Sequence, residues 1–170
     1  AFVDVASVRD ALRMIGVNIF RPMADVLRPG DPGYGESAAG SASSDSDMWM
    51  DPAWPHLSVV YEMLLHMVET QAISIDHKKR AFDQVFCGRL MQLFASQDQR
   101  EREYVKTIVH CLYSRLMNRR AHMRRAMGEY FLNFVYVVSR GGGSAGIAEM
   151  LEVLGSIASG FAVPIKEEHR

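Results

Sequence analysis

Residues 96–116 read SQDQREREYVKTIVHCLYSRL, and this stretch indicates most clearly which fold the chain adopts. The opening pattern from Ser96 to Gln99 has the Ser-x-x-Gln form of a capping box, which predicts that a helix begins there. Spacings of three and four residues then predict one stripe along that helix: Tyr104, Ile108, Cys111, Leu112, Arg115 and Leu116. The stretch therefore indicates an α-helix with one face turned toward a core.

Apolar residues recur at the same spacing on both sides of this stretch. They predict further helical segments over residues 3–20, 57–68, 82–94, 121–138 and 147–160. The polar residues 69–79 are predicted to interrupt the pattern. The expected inward-facing residues are Leu57, Val60, Leu64 and Met67, then Phe82, Val85, Phe86, Leu90, Leu93 and Phe94. In the last two helices they are Met127, Phe131, Phe134, Val135 and Val138, then Ile147, Met150, Leu151, Leu154 and Ile157.

The predicted helices come in pairs with a regular period. Their starts fall near residues 55, 81, 98, 121 and 145, so a pair recurs roughly every 40 to 46 residues. That period is typical of HEAT or armadillo arrays, and no segment alternates like a strand. The pattern predicts an all-α protein with a HEAT-like solenoid, although a compact helical bundle fits the pattern alone equally well.

Composition limits the function classes. The 170 residues are 48% hydrophobic, which is enough to bury a core, and carry a net charge of -1. This balance argues against a surface that grips nucleic acid everywhere. No run of apolar residues is long enough to cross a bilayer, so no membrane partner is expected. The two cysteines, Cys87 and Cys111, are too few for a disulfide framework, and reduced thiols suggest the cytoplasm or the nucleus.

The chain is predicted to be a single piece, residues 1–170, of one repeat domain. It opens at Ala1 without a methionine or a signal peptide, which we interpret as a fragment of a longer protein. Residues 29–50 are rich in glycine, serine and aspartate and contain no Lys or Arg. Because such a segment cannot repay the entropy of ordering, a mobile loop is predicted there.

No motif of an enzyme is present. The sequence lacks His-Glu-x-x-His, Gly-x-Ser-x-Gly, a phosphate loop and Gly-x-Gly-x-x-Gly. We therefore predict no catalytic residue, no metal site and no cofactor.

The most concentrated polar feature is a basic cluster at the junction of two predicted helices. Five arginines fall within eleven residues: Arg115, Arg119, Arg120, Arg124 and Arg125. They could form a solvated face that supplies charge to a helix C-terminus. They could instead bind carboxylate or phosphate groups, which guanidinium forks match. Nucleic-acid binding is a third interpretation, weakened by the sparse basic charge elsewhere.

Four strings closely resemble one family, the B-prime regulatory subunits of protein phosphatase 2A. They are residues 10–22 (DALRMIGVNIFRP), 53–57 (AWPHL), 146–157 (GIAEMLEVLGSI) and 160–169 (GFAVPIKEEH). The similarity covers nearly the whole chain outside the 29–50 loop and the glycine linker. It favours the solenoid over the bundle and implies that this chain is the first part of a longer HEAT-like array, around its first four repeats.

The resemblance implies a non-catalytic role. Members of the family join a scaffold subunit and a catalytic subunit of the phosphatase, and recruit substrates through a groove. That groove binds Leu-x-x-Ile-x-Glu motifs, often strengthened by phosphorylation or acidic residues. The matching positions here are Thr107, His110, Cys111, Tyr113, Arg120, Arg124, Glu152, Val153, Ile157, Lys166 and His169.

The resemblance also assigns roles within the groove. Val153 and Ile157 are one turn apart and would form an apolar wall for the motif's leucine and isoleucine. The motif's glutamate would face Arg120, Arg124, Lys166 and His169. Two positions depart from the family: Cys111 replaces a basic residue, and Val153 replaces an isoleucine. The alternative function is a HEAT-type scaffold for another partner, such as nucleic acid bound through the arginine cluster.

Overall fold

The computed structural model describes residues 5–22, 50–138 and 146–160. Within them the chain forms seven α-helices and two short 3-10 turns, and no strand. The helices are α1 (Val5–Ile19), α2 (Trp54–Glu69), α3 (Ile75–Ala81), α4 (Gln84–Gln92), α5 (Gln99–Arg115), α6 (Arg120–Val138) and α7 (Ile147–Ser159). Residues 29–49 of the predicted loop, and the glycine linker at residues 141–144, lie outside the described residues.

The helices form two layers. Helices α2, α5 and α7 lie side by side in one layer. In the other layer α1 contacts α3, and α4 contacts α6. Each helix of the first layer also packs against the helix that precedes it in the repeat, so α1 pairs with α2, α4 with α5, and α6 with α7. This arrangement confirms the predicted all-α, solenoid-like fold.

Contacts between neighbouring helices of the first layer repeat at a regular sequence separation. The hydroxyl of Tyr104 on α5 donates to Glu62 on α2, 42 residues away. The ammonium of Lys106 on α5 donates to Glu152 on α7, 46 residues away. Because the contacting residues ascend together along each pair of helices, the three helices run in the same direction. The separations agree with the predicted period.

The core lies between the layers and contains most of the expected apolar residues. Leu57, Val60 and Leu64 of α2 are buried, as are Ile108, Leu112 and Leu116 in and after α5. The prediction of burial is wrong at three positions, because Val85, Val135 and Leu151 are 69%, 66% and 53% exposed. The side chain of Val138 lies outside the described residues.

The error at Val85 has a clear local cause. Helix α4 begins at Gln84, with the side chain of Asp83 accepting a hydrogen bond from the Phe86 amide at 2.7 Å. That start sets the phase of the helix, so that Cys87, Leu90 and Met91 turn inward while Val85 faces solvent. Phe82 is buried but belongs to the end of α3.

The polar interruption predicted at residues 69–79 is partly wrong, because α3 begins inside it. Ser74 caps this helix and accepts a hydrogen bond from the His77 amide at 3.3 Å. Lys78 then folds back and donates to the carbonyl of Val68 at 2.6 Å and to that of Thr70. A cation on these carbonyls complements the negative end of the α2 dipole, so polar residues here stabilise structure.

The predicted capping box at Ser96 is also wrong. The N-cap of α5 is Asp98, whose carboxylate accepts from the amide and the guanidinium of Arg100 at 2.7–3.0 Å. Burial alone would raise the pKa of Asp98, but the Arg100 side chain and the amides of Asp51 and Arg100 outweigh it and lower that pKa. Ser96 takes another role, because its hydroxyl donates to Glu101 and accepts from the Asp98 amide.

Glu101, in the first turn of α5, is the most deeply buried charged residue that the structure describes, with 0% exposure. One carboxylate oxygen accepts from the Tyr61 hydroxyl at 2.6 Å and from Arg21 at 2.8 Å. The other accepts from Ser96 and from the second guanidinium nitrogen of Arg21 at 3.1 Å. Arg21 also binds Asp51 at 2.6 Å. We call Arg21, Asp51, Tyr61, Ser96 and Glu101 the buried carboxylate network.

Two members of the network, Arg21 and Tyr61, are held in their protonated forms. Burial would lower the pKa of Arg21, but its hydrogen bonds to Glu101 and Asp51 outweigh that effect and raise it. Burial, and then the charge of Glu101, raise the pKa of Tyr61. Tyr61 is therefore a neutral donor and Arg21 a cation, so each carboxylate oxygen of Glu101 receives two hydrogen bonds.

The entry to α7 depends on one glycine. Gly146 has a φ of 77°, in the left-handed region that favours glycine. A Cβ atom at this position would collide with the carbonyl of Phe94 in the 3-10 turn before α5. The absence of a side chain therefore allows α7 to begin directly against the preceding repeat.

Within the described ranges, no helix is both long enough and apolar enough to cross a bilayer.

We expect Glu101→Gln to destabilise the protein by about 2–3 kcal/mol, because it removes the charge that compensates Arg21 and replaces one acceptor oxygen with a donor in a buried site. Urea denaturation followed by circular dichroism measures the effect. Glu103→Gln on the same helix is the matched control, since Glu103 is partly exposed and its described ion pair is the surface contact with Lys106. We expect it to cost less than about 0.5 kcal/mol. Equal losses in both variants would contradict the assigned role of Glu101.

Asp98 should contribute a stability that disappears in acid. Because folding holds its pKa below the usual 3.8, the unfolded chain takes up the proton first as pH falls. The contribution is thus fully present above about pH 4 and is lost as pH falls through the lower folded value. Asp98→Asn preserves a capping oxygen but not the charge. We expect the difference in unfolding free energy between wild type and Asp98→Asn to shrink on acidification, and a pH-independent difference would contradict this.

Candidate functional site

Helices α5 and α7 place several predicted site residues beside one another. The imidazole Nε2 of His110 lies 3.0 Å from the hydroxyl of Ser156. One turn earlier Lys106 binds Glu152 at 2.7 Å, and Arg102 binds Glu149 at 2.8 Å at the start of the two helices. Three polar contacts thus bridge α5 and α7 at successive turns. They define the surface between α5 and α7 that we call the α5–α7 groove.

A second group of predicted site residues meets at the junction of α5 and α6. Arg120 donates to the carbonyls of Tyr113 and Ser114 at 2.9 and 3.1 Å, and its guanidinium carbon lies 5.2 Å from the centre of the Tyr113 ring. Arg124 donates to the Tyr113 hydroxyl at 2.9 Å. Tyr113 therefore contacts both arginines, through its carbonyl, its ring and its hydroxyl.

Fewer arginines of the cluster are free to bind a ligand than the sequence suggests. Arg119 donates to the carbonyls of Lys79 and Phe82 at 2.9 and 3.1 Å, at the end of α3. Arg119 and Arg120 therefore each complete the C-terminus of a helix, which supports the helix-terminus interpretation for these two residues. In the part of the chain that the structure describes, Arg115 and Arg125 are exposed and have no hydrogen-bonded partner.

The remaining predicted site residues differ in accessibility. Glu152 is exposed on the α5–α7 groove, and Thr107 is exposed on α5, where its hydroxyl donates to the Glu103 carbonyl of the same helix at 3.0 Å. Val153 and Ile157 are only 2% and 5% exposed and belong to the core. Their burial gives both residues a structural role, and their contact with a peptide stays a prediction. Lys166 and His169 lie outside the described residues.

Cys111 lies between two opposite charges. Its thiol donates to the Glu69 carboxylate on α2 across 3.8 Å. Partial burial and the charge of Glu69 raise the pKa of Cys111, and Arg115 lowers it by less. Cys87 is fully buried, and burial raises the pKa of its thiol to about 11. The two thiols are therefore largely protonated near neutral pH.

Sequence reasoning did not find Ser156, Lys106 or Glu69 as neighbours of the site. Their positions follow from the register between parallel helices. Ser156 is 46 residues from His110, and Glu69 is 42 residues from Cys111. The predicted repeat period of roughly 40 to 46 residues contains this signal, but only the packing fixes which value applies to each pair of helices.

Among the described residues, no three His, Cys, Asp or Glu side chains lie close enough together to hold a metal ion. The site therefore consists of hydrogen-bonding and charged side chains on neighbouring parallel helices. Such a surface belongs to an α-helical repeat protein, a class in which stacked repeats present extended surfaces.

The chain belongs to the B56 family. Its residues 2–170 match the family model described as "Protein phosphatase 2A regulatory B subunit (B56 family)". It is 42% identical over 158 residues to the kappa isoform of the 57 kDa B' regulatory subunit of serine/threonine protein phosphatase 2A from Arabidopsis thaliana. It is 40% identical over 162 residues to the beta isoform of the 56 kDa regulatory subunit of the same phosphatase from Mus musculus. These findings confirm the resemblance.

The matches cover 93% and 95% of this chain but only 29% and 30% of the two relatives. The chain thus spans less than a third of the length of the curated relatives that it matches.

The environment of Cys111 predicts its reactivity. Glu69→Gln removes the negative charge beside the thiol, so we expect a lower pKa for Cys111 and faster alkylation by iodoacetamide at mildly alkaline pH. Glu62→Gln is the matched control, since Glu62 occupies the same helix but contacts Tyr104. Mass spectrometry of tryptic peptides separates Cys111 from Cys87, which should remain unmodified in the folded protein. Equal rates in the two variants would show that Glu69 does not govern the thiol.

Proposed function

We propose that this chain is part of a non-catalytic regulatory subunit of protein phosphatase 2A, and that its α5–α7 groove docks peptides of the form Leu-x-x-Ile-x-Glu. Membership of the B56 family carries the regulatory role. The curated relatives are named as regulatory subunits of this phosphatase. The proposed partners are therefore the scaffold and catalytic subunits, together with substrate or adaptor peptides.

The geometry of the groove supports peptide docking. His110 and Glu152 are exposed along it, with hydrogen-bonding groups on both neighbouring helices. At the end of α5, Arg120 and Arg124 lie against Tyr113, where a carboxylate of the motif could approach two guanidinium groups. An extended peptide along α5 would therefore meet the ion-paired Lys106 and Glu152 first, and the guanidinium groups of Arg120 and Arg124 last. That order fits a motif that ends in glutamate.

A nucleic-acid partner has less support. Three of the five clustered arginines, Arg119, Arg120 and Arg124, are held by hydrogen bonds within the protein. Binding a phosphate backbone requires several free cations, and affinity then falls steeply with salt. Steep salt dependence together with indifference to peptide sequence would favour this alternative.

We expect a Leu-x-x-Ile-x-Glu peptide to bind the purified protein in isothermal titration calorimetry, and a scrambled peptide of the same charge not to bind. His110→Ala should lower the affinity for the motif peptide by about tenfold, which corresponds to the loss of one hydrogen bond of about 1.4 kcal/mol. The reason is that His110 is exposed in the middle of the groove.

The matched control is His66→Ala, which removes an equally exposed histidine from the neighbouring helix α2. It should leave the affinity unchanged. Both variants should retain the thermal midpoint of the wild type, since neither side chain is in the core. A motif peptide that binds no better than its scrambled form would contradict the proposed function. Equal effects of the two variants would contradict the position of the groove.

A further inference from the structure

A separate pocket lies at the other edge of α5, where α5 ends beside the connection between α2 and α3. Its volume is about 220 Å³. The residues that line it are Thr70, Gln71, Ile73, Ser74, Ile75, Lys78 and Arg115. It is built from residues 70–78 and the last residue of α5, so it shares no lining residue with the α5–α7 groove.

Two cations and no acidic side chain line this pocket, as far as the described residues extend. Lys78 is buried, and its ammonium donates to the carbonyls of Val68 and Thr70. An ammonium carries three donors, so one remains after these two bonds. Arg115 is exposed, and within the described ranges it has neither an ion pair nor a hydrogen bond. The pocket therefore contains donors on two positive groups that the fold does not use.

The two cations also repel each other. Burial lowers the pKa of Lys78, and the positive charge of Arg115 lowers it further. Glu69, the residue that precedes Thr70, turns its carboxylate toward Cys111 at 3.8 Å. An anion between Lys78 and Arg115 would relieve the repulsion and gain charge-assisted hydrogen bonds from both.

We propose that this pocket binds an oxyanion, a carboxylate or a phosphate group, between Lys78 and Arg115. The guanidinium of Arg115 supplies a fork that matches two oxygens of such a group. Ile73 and Ile75 also line the pocket, so an anionic group attached to an apolar body would gain apolar contacts in addition to these hydrogen bonds. The proposal requires neither the Leu-x-x-Ile-x-Glu motif nor the phosphatase.

The test is an NMR titration of the purified, isotope-labelled protein with inorganic phosphate and, separately, with acetate, at an ionic strength held constant with sodium chloride. We expect saturable shifts of the backbone amides of residues 70–78, larger than those on α7. Tighter binding of phosphate would assign a phosphoryl group as the preferred ligand, and tighter binding of acetate would assign a carboxylate. Either order supports an oxyanion site.

Two variants make the test specific. Arg115→Gln should weaken binding by about three- to fivefold, as expected for a partly exposed charge pair. Arg80→Gln is the matched control, because Arg80 is also an exposed arginine in this region but does not line the pocket. It should leave the affinity unchanged. Shifts that sodium chloride alone reproduces, or equal affinities for Arg115→Gln and wild type, would overturn the proposal.

Discussion

A fully buried carboxylate, that of Glu101, constrains the arrangement of the first repeats. Its charge is tolerable in the core only while donors from three separate parts of the chain converge on it. Arg21 lies just after the end of α1, Tyr61 lies in the middle of α2, and Ser96 lies in the turn before α5. An apolar core residue would accept several packings, whereas this carboxylate requires one. The network therefore fixes how the first helix pair meets the second.

Basic side chains at helix C-termini form the second recurrent interaction. Lys78 donates to a carbonyl at the C-terminus of α2, Arg119 to one at the C-terminus of α3, and Arg120 to one at the C-terminus of α5. In each case a side chain from a later segment reaches back to carbonyls that the helix leaves unpaired. This pattern separates the positive charges that bind helix carbonyls from those, such as Arg115, that make no hydrogen bond within the described residues. Net charge and clustering in the sequence cannot make that distinction.

The helical periodicity predicted the fold class and repeat length, because spacing reports which face of a helix is apolar. It failed where the phase of a short helix depends on its cap: Asp83 turns Val85 outward, and Asp98 rather than Ser96 begins α5. Glu101 was unpredictable as a core residue, since its charge favours the surface unless distant partners are known. The site positions came from the family resemblance. The periodicity predicted that Ile157 faces inward but did not include Val153, and the sequence could not show which arginines are already bound.

The position of Tyr113 has a consequence for the shape of the array. Its carbonyl, ring and hydroxyl are all engaged by Arg120 and Arg124 in the first turns of α6. These contacts set the angle at which the chain turns from one repeat into the next. Any group that draws the two guanidinium groups away from Tyr113 must also loosen that turn. In a stack of repeats a small rotation at one junction is carried into the repeat beyond it, so a change at Tyr113 would be carried into α6 and α7.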